Sequence, residues 1–510
     1  MKKLSLFTLV LFSFFALSAC SSSDDSVLVV ANGADPVTFD MHATNDQATA
    51  RVARQIYETL VFQGNDLELS PGLATSWREV GDNTFEFTLR DDVFFHNGDK
   101  FTAADVVYTF KRAIQSPTIG HIIGAIDADK ITMVDDYTVR IGTRFAFGPF
   151  ITHLAHPAMS IKNQRAVEEA GADYGSQGVI GTGPFQFVSW NVGDRVVLER
   201  FEGYWGTPAG VSKIEFRTIR ESNVRVIALE NGEVDIAYDI APPDIPIVEG
   251  ASNLTLINTP NLGAEYLALN TASNPYLQDI NVRRAIASMI DVPSIVEAIY
   301  NNVGTQMTGP INASVFGYNP NLDPFPYNEA RAREFLAQSA YPDGNFTLRL
   351  FVGDNNQERI RVAQVVQAQL EKLGINVVLN QMEWGAFLGE TAKPAEESVT
   401  DLFLLGWTTV TADADYGLYP LFHTSAWGAA GNRSFYSNPR VDELLDLGRS
   451  SIDQNVRLQA YQEAQAIIAE ELPWVFLQTR ENVSAYRAGI EGFEHHPMGS
   501  YFLSSVRKTD

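Results

Sequence analysis

Cysteine is nearly absent from this sequence. The only cysteine among the 510 residues is Cys20, which excludes a disulfide framework and a cysteine-based metal site. Histidine is also sparse, and the pair His153 and His156 has no carboxylate or third histidine at a useful spacing nearby. We therefore expect these two histidines to line a cleft or cap a helix, and we predict neither a metal site nor a cofactor.

Positive charge is in short supply as well. The chain has 37 lysines and arginines against 62 aspartates and glutamates, a formal net charge of -25. Contacts to phosphates need clusters of basic side chains, and the sequence has none. This excludes nucleic-acid binding, and the acidic balance is typical of a solubilising surface.

The motifs of common hydrolases and nucleotide-binding enzymes are missing. The sequence contains no G-x-S-x-G, no H-E-x-x-H and no P-loop, because the glycine-rich residues 181–185 (GTGPF) are not followed by Gly-Lys-Ser/Thr. We predict that the protein is not an enzyme, and an exported hydrolase is only the third alternative.

The longest apolar run stands close to the amino terminus. Residues 4–17 are apolar, Lys2 and Lys3 precede them, and Leu-Ser-Ala-Cys20 follows. This pattern resembles a bacterial lipoprotein signal peptide with its lipobox, and the run is short for a membrane span. We predict a signal peptide over residues 1–20, lipidation of Cys20 and a flexible tether over residues 21–26. An uncleaved membrane anchor is the alternative.

The mature chain begins with a strand, a polar loop and a helix. Residues 27–31 (VLVVA) are continuously apolar, as expected for a central strand, and residues 50–60 fit a helix. Side chains in such a loop lie at the carboxyl edge of an α/β sheet, where ligands bind. Thr44, Asn45 and Asp46 are therefore candidate cleft residues, and helix capping is the alternative for Asp46.

Strands and helices alternate again in the second half. Residues 346–351, 375–379 and 402–405 read as strands, and residues 358–373 as a helix. This alternation predicts a mainly parallel sheet covered by helices. The strand ending at Leu405 leads into Trp407 and a polar loop that reaches Tyr416, and these two aromatics are candidate walls of a pocket.

Several motifs together resemble the peptide-binding family of solute-binding proteins that serve ABC importers, most closely its glutathione-binding branch. The motifs are residues 73–77 (LATSW), 94–110 (FFHNGDKFTAADVVYTF), 181–185 (GTGPF), 201–205 (FEGYW), 232–236 (GEVDI) and 266–291. In the last of these, a strand ending in Ala-Leu-Asn is followed by a proline loop and a helix. This stretch resembles the crossover between the two lobes of the family.

The resemblance implies an α/β, two-lobed fold like that of periplasmic binding proteins, with a side subdomain on the first lobe and a hinge between the lobes. Lobe I would comprise residues 27–62, 181–268 and 485–510. Its side subdomain would comprise residues 63–180, and lobe II residues 269–484.

The resemblance also implies ligand contacts. Dipeptide and oligopeptide binders of the family carry an aspartate for the peptide α-ammonium three residues after the tryptophan, a position that is Val410 here. Asp413 and Asp415 are the candidates to replace it, because the glutathione-binding branch has a similar acidic run. Arg359 and Arg361 are candidate partners for a ligand carboxylate, since dipeptide binders place an arginine near this point.

The implied function is capture of a small peptide or glutathione between two lobes and delivery to an ABC permease. We expect a monomer, exported to the periplasmic or extracellular face and held at the membrane through Cys20. Capture of a nickel chelate or haem by the same fold is the alternative.

Overall fold

The computed structural model describes residues 26–509. The predicted signal peptide, the lipidation site Cys20 and residues 21–25 of the predicted tether lie outside the described residues. Within the described range, no helix combines the length and the apolar character that crossing a bilayer requires.

Strands and helices alternate along most of the chain. The strands are β1 (Val27–Asn32), β2 (Val61–Gln63), β3 (Leu69–Pro71), β4 (Ala74–Gly81), β5 (Thr84–Leu89), β6 (Ile126–Asp135), β7 (Thr138–Thr143), β8 (Phe185–Asn191), β9 (Arg195–Arg200), β10 (Lys213–Thr218), β11 (Ile236–Ala237), β12 (Leu254–Leu269), β13 (Thr347–Gly353), β14 (Asn376–Met382), β15 (Leu402–Thr408), β16 (Trp474–Arg487), β17 (Ile490–Glu491) and β18 (Arg507–Lys508). The α-helices are α1 (Gln47–Ile56), α2 (Ala103–Ile114), α3 (Phe150–Leu154), α4 (Gln164–Ala170), α5 (Ser222–Glu230), α6 (Ile245–Gly250), α7 (Pro275–Gln278), α8 (Ile280–Met289), α9 (Val292–Tyr300), α10 (Glu329–Ala337), α11 (Gln357–Glu371), α12 (Trp384–Thr391), α13 (Ala414–Phe422), α14 (Pro439–Ser450) and α15 (Gln454–Glu471).

One ten-stranded sheet runs through both halves of the molecule, in the order β14-β13-β15-β12-β16-β11-β1-β10-β9-β8. The expected parallel pairing holds for β13 with β14 and β15 and for β1 with β10 and β11. The other pairs are antiparallel: β12 and β16 run antiparallel to their neighbours, and β9 runs antiparallel to β8 and β10 along the other edge of the sheet. The sheet is therefore mixed, and its two long strands join the halves.

These crossover strands, β12 and β16, pair along most of their length. The first part of β12 pairs with the end of β16, whereas residues 263–269 of β12 also pair with β15 in the second half. A register shift between Pro260 and Ala264 interrupts the ladder between the two parts, and such irregularities bend and twist a strand. The shift lies between the part of β12 that pairs only with β16 and the part that also pairs with β15. The exact lobe boundaries proposed from the sequence stay predictions.

The helix after this crossover forms for the reasons its sequence gives. The side chain of Asp279 accepts a hydrogen bond from the backbone N–H of Asn281 and caps α8. The predicted apolar positions Val282, Ala285, Ile286 and Met289 are fully buried. They pack in the core that β13 and β15 share with the helices of the second half.

A separate antiparallel sheet of four strands, in the order β4-β5-β7-β6, lies within residues 63–180, the range predicted to be the side subdomain. Its own core contains Phe87, Phe101 and Phe110 and is covered by α2. This sheet shares no strand with the ten-stranded sheet. The limits of the subdomain stay a prediction.

Candidate ligand-binding cavity

A cavity of about 240 Å³ lies between the two halves. Its walls include the segments that follow β1, β13 and β15, so the carboxyl ends of these strands face it. The crossover strands supply Glu265 and Tyr266 from β12 and Gln478 and Arg480 from β16. The Tyr266 ring stacks on Trp474, with the planes 3° apart, and this contact holds the two strands together beside the cavity.

The cavity wall is rich in charge, and most of this charge is paired internally. Arg51 donates two hydrogen bonds to the carboxylate of Asp239, at 2.6 and 2.8 Å. Although burial raises the pKa of Asp239, the Arg51 guanidinium outweighs burial and holds that pKa well below its usual range. This bidentate pair therefore forms part of the wall on the side of the first half of the molecule, and it leaves little charge for a ligand.

The predicted site residue Arg359 is paired in the same way. Its Nε and Nη2 donate to Glu265 at 2.7 and 2.8 Å, and Arg480 Nε lies 3.1 Å from the same carboxylate. Arg359 does line the cavity, but its guanidinium is held by Glu265. Arg361, the second predicted arginine, is exposed on α11 and does not line the cavity.

Asp413 and Asp415, predicted to meet a ligand amine, lie behind the cavity wall. Both oxygens of Asp413 accept hydrogen bonds from Arg457 Nη2, at 2.7 and 2.8 Å. Asp415 lies 3.2 Å from Arg449 Nε and is almost completely buried. The structure does not bring either carboxylate into the cavity, because arginines of α14 and α15 hold both. Val410, at the position of the family's aspartate, does line it.

Of the three polar residues predicted before α1, Asn45 and Asp46 line the cavity and Thr44 does not. The Asp46 side chain accepts hydrogen bonds from the Thr49 backbone N–H at 3.0 Å and from Thr44 Oγ1 at 2.9 Å. Asp46 thus caps α1, the alternative that the sequence left open. The helix begins at Gln47, three residues earlier than predicted, because Asp46 is its N-cap residue.

The structure places the two candidate aromatic residues next to each other in the cavity wall. Trp407 and Tyr416 both line the cavity, with ring centroids 5.1 Å apart, and Trp407 Nε1 donates to the Tyr416 carbonyl at 3.1 Å. Tyr416 Oη accepts a hydrogen bond from Asn45 Nδ2 at 2.9 Å. His156 Nε2 lies 2.8 Å from the same oxygen. Tyr416 therefore connects residues that are far apart in sequence across the cavity.

The sequence analysis proposed none of the charged wall residues Arg51, Asp239, Glu265 and Arg480, and it also missed two charged wall residues that have no ion-pair partner within residues 26–509. The first is Arg433, whose Nη1 donates to Thr391 Oγ1 at 2.7 Å. Among residues 26–509 no carboxylate lies within 4 Å of its guanidinium, unlike those of Arg51 and Arg359. Arg433 stands in a loop without periodic pattern, so nothing in the sequence distinguishes it from a surface arginine.

The second missed residue is Glu358, in the first turn of α11. It is 8 % exposed, and its Oε1 has no hydrogen-bond partner within the described part of the chain. Burial raises its pKa. Asn355 Oδ1 and Trp384 Nε1, also in the cavity wall, lack partners there as well. The sequence marked Glu358 only as the start of a helix.

Comparison with known proteins identifies the family. Residues 68–429 match the family described as "Bacterial extracellular solute-binding proteins, family 5 Middle". The chain is 33% identical over 477 residues to the glutathione-binding protein GsiB of Pectobacterium atrosepticum, covering 91% of each chain. It is 31% identical over 485 residues to GsiB of Escherichia coli K12, covering 94% of this chain and 93% of that one.

Solved structures show the same fold. The periplasmic binding protein DppA of Helicobacter pylori, in complex with the peptide STSA, superposes with a TM-score of 0.88 at 29% identity, covering 95% of this chain and 98% of that one. The oligopeptide-binding protein AppA of Bacillus subtilis, in complex with a nonapeptide, also has a TM-score of 0.88, at 24% identity and with coverage of 96% and 99%. The predicted α/β, two-lobed fold is confirmed. The chain belongs to family 5 of the bacterial extracellular solute-binding proteins.

Proposed function

We propose that this protein captures a small peptide carrying a free carboxylate, glutathione or one of similar size, between its two lobes and delivers it to an ABC importer. The observation that carries the proposal is Arg433. It presents a guanidinium to a cavity between the two halves, and no carboxylate of the described residues lies within 4 Å of it.

A ligand carboxylate suits this guanidinium. Arginine has a planar set of N–H donors that grips a carboxylate through two charge-assisted hydrogen bonds. Within residues 26–509, Thr391 accepts only from Nη1 of Arg433, which leaves Nε and Nη2 for a ligand carboxylate. The names of the GsiB relatives, and the peptide bound to the Helicobacter pylori protein, support a ligand of this class.

The size of the cavity favours a short ligand. Pockets for small molecules commonly have volumes of about 300–1,000 Å³, and this one is near or below the lower end, at about 240 Å³. Glutathione and short peptides are compatible with that space, whereas a long peptide would need a larger cavity.

Closure of the lobes would complete the site. Contacts between the halves already include Tyr416 with His156, and Arg220 Nη1 at 3.8 Å from Asp354 Oδ2. A ligand that touches both halves would bind the closed state more tightly and so favour it. The irregular pairing of β12 with β16 near Pro260 is our candidate hinge.

The amino-terminal sequence belongs to the same proposal. A signal peptide over residues 1–20 and a lipid on Cys20 would hold the protein at the outer face of the membrane, next to its permease. We expect it to act as a monomer.

Thermal unfolding of the full-length protein with candidate ligands tests the proposal. The panel contains glutathione, dialanine, trialanine, hexaalanine, nickel–histidine and haem. A ligand at a hundredfold its Kd adds about 2.7 kcal/mol of stability. We expect glutathione or trialanine to raise Tm. A shift with nickel–histidine or haem alone would overturn the peptide proposal and favour the alternative.

Arg433→Gln provides the residue-level test. We expect it to abolish the shift with the active peptide, because the carboxylate loses its cationic partner. Arg333→Gln, an exposed arginine on α10 outside the cavity, is the matched control and should keep the shift. Equal shifts in both variants would contradict the role of Arg433.

A further inference from the structure

Glu358 is a buried residue of the cavity wall, and one of its two carboxylate oxygens has no hydrogen-bond partner in the described part of the chain. Among residues 26–509 no cation lies within 4 Å of it, and its Oε1 accepts no hydrogen bond. The charged groups that act on it are Arg361 on its own helix, Arg225 in the cavity wall, and Asp244. Arg225 donates instead to the backbone carbonyls of Ile219, Arg220, Tyr238 and Asp239. An unpartnered buried carboxylate is costly, so a ligand group that pairs with it gains binding energy.

Two further unpartnered groups belong to the same part of the wall. Asn355 precedes α11. Its Oδ1 and the Trp384 ring both lie beside Gly353, because a Cβ added to this glycine would be 3.0 Å from each of them. The amide oxygen of Asn355 and the carboxylate of Glu358 are acceptors, whereas Trp384 Nε1 is a donor. Two acceptors, one of them anionic, suit an ammonium group, and the indole N–H suits the carbonyl next to it.

Helix α12 gives an approximate scale for the separation between this cluster and Arg433. Trp384 is its first residue, and Thr391, which accepts from Arg433, is its last. An α-helix rises about 1.5 Å per residue, which separates the two ends by roughly 10 Å. An extended peptide advances about 3.3 Å per residue, so roughly three residues span that distance.

We propose that Glu358 and Asn355 form an ammonium subsite, and that together with Arg433 they select zwitterionic ligands about three residues long. This inference rests on the proposed function and specifies its ligand. The cation that the ligand supplies replaces the missing partner of Glu358, and the anion replaces the missing partner of Arg433. Dipeptides are too short to reach both groups, and longer peptides must leave one end outside.

Isothermal titration calorimetry of the full-length protein tests this assignment with trialanine, N-acetyl-trialanine, hexaalanine and glutathione. N-acetylation removes the charged donor of the hydrogen bonds to Glu358 and Asn355, so we expect it to weaken binding of trialanine at least about tenfold. Trialanine should bind more tightly than hexaalanine.

The variant Glu358→Gln identifies the residue. We expect it to weaken trialanine and glutathione at least about tenfold, and to change the affinity for N-acetyl-trialanine by less than about twofold, because that probe has no ammonium to lose. Glu371→Gln, an exposed glutamate on the same helix, is the matched control. Glu358→Asp keeps the charge and should recover part of the affinity.

The outcomes separate this inference from the proposed function. Suppose that the wild-type protein binds trialanine or glutathione, and that Glu358→Gln weakens the free and the acetylated peptide equally or weakens neither of them. The ammonium subsite is then wrong, and the peptide-binding function stands. If the wild-type protein binds none of these probes, both the function and the subsite are wrong.

Discussion

His156 Nε2 lies 2.8 Å from Tyr416 Oη, and this hydrogen bond joins two sides of the cavity. His156 Nδ1 accepts from the Ala158 backbone N–H at 3.0 Å, so the proton of the neutral ring is on Nε2, which donates to the tyrosine. Burial holds the pKa of His156 well below its ordinary value, and His153 and Arg54 lower it further. The ring therefore stays neutral, and the contact does not depend on pH near neutrality.

We predict that Tyr416→Phe weakens ligand binding by favouring the open protein. The substitution removes the oxygen that His156 and Asn45 share. A hydrogen bond contributes about 0.5–1.5 kcal/mol, which corresponds to a loss of affinity of about two- to tenfold. Calorimetry with the peptide that stabilises the wild-type protein measures this loss, and small-angle scattering measures the shift toward a larger radius of gyration.

Tyr327→Phe is the control for this prediction. Its hydroxyl also donates a hydrogen bond, to Glu329 at 2.8 Å, but on the exposed surface away from the cavity. An unchanged affinity and radius of gyration in Tyr416→Phe would show that this contact has no part in closure.

The sequence predicted the local elements well because their causes are local. The burial of Val282, Ala285 and Ile286 on α8 follows from their helical spacing. The aromatic wall of Trp407 and Tyr416 follows from a strand end. The partners of Asp413 and Asp415 lie on helices that begin more than twenty residues later, and only tertiary packing brings Arg457 and Arg449 to them.

Arg433 and Glu358 are residues that the sequence did not single out. Their importance comes from the absence of a partner in the folded cavity, and sequence spacing carries no information about such an absence. The valine at position 410, three residues after Trp407, is by contrast visible in the sequence itself.

We predict that Val410→Asp shifts the ligand preference toward ordinary dipeptides. Val410 lines the cavity, so a carboxylate there would meet a ligand ammonium nearer to the aromatic wall than Glu358 does. We expect the affinity for dialanine relative to glutathione to rise about tenfold, the effect of a gain of about 1.4 kcal/mol. Competition calorimetry of the two ligands measures the ratio.

Val410→Asn is the matched control because it has nearly the same shape without the charge. If Val410→Asn changes the ratio as much as Val410→Asp, the effect comes from packing. A ratio that stays at the wild-type value in Val410→Asp would contradict the prediction.

The Glu265 carboxylate in the cavity wall has two guanidinium partners, Arg359 and Arg480. Removing one member of a buried ion pair costs about 3–5 kcal/mol, because the remaining charge is left without compensation. We predict that Glu265→Gln lowers the free energy of unfolding by about this amount and therefore lowers the midpoint of urea unfolding. The double variant Glu265→Gln/Arg359→Gln should recover part of the loss.

Glu443→Gln is the control for this buried pair. Glu443 pairs with Arg440 on the exposed surface of α14, where ion pairs contribute about 0–1 kcal/mol. If the two single variants unfold at the same urea concentration, the buried ion pair of Glu265 contributes no more stability than a surface pair.

Lys162 is a fully buried lysine whose Nζ has no hydrogen-bond partner among the described residues. The Nζ atom lies 3.9 Å from the centroid of the Tyr57 ring. Burial lowers its pKa to about 7, Asp40 opposes this shift, and Arg112 adds to it. The unfolded chain, with an ordinary lysine pKa of about 10.4, therefore binds more protons than the folded protein between these values.

Stability then rises with pH through this window. Below the folded pKa both states carry the proton, and the folded protein bears the full cost of the buried charge; as the pH rises from about 7 toward about 10 that cost disappears. We predict that the urea midpoint of the wild-type protein increases over this range relative to that of Lys162→Met, which has no such proton. Lys111→Met, an exposed lysine on α2, should follow the wild-type curve. Parallel pH profiles for the wild-type protein and Lys162→Met would mean that Lys162 keeps an ordinary pKa in the folded state.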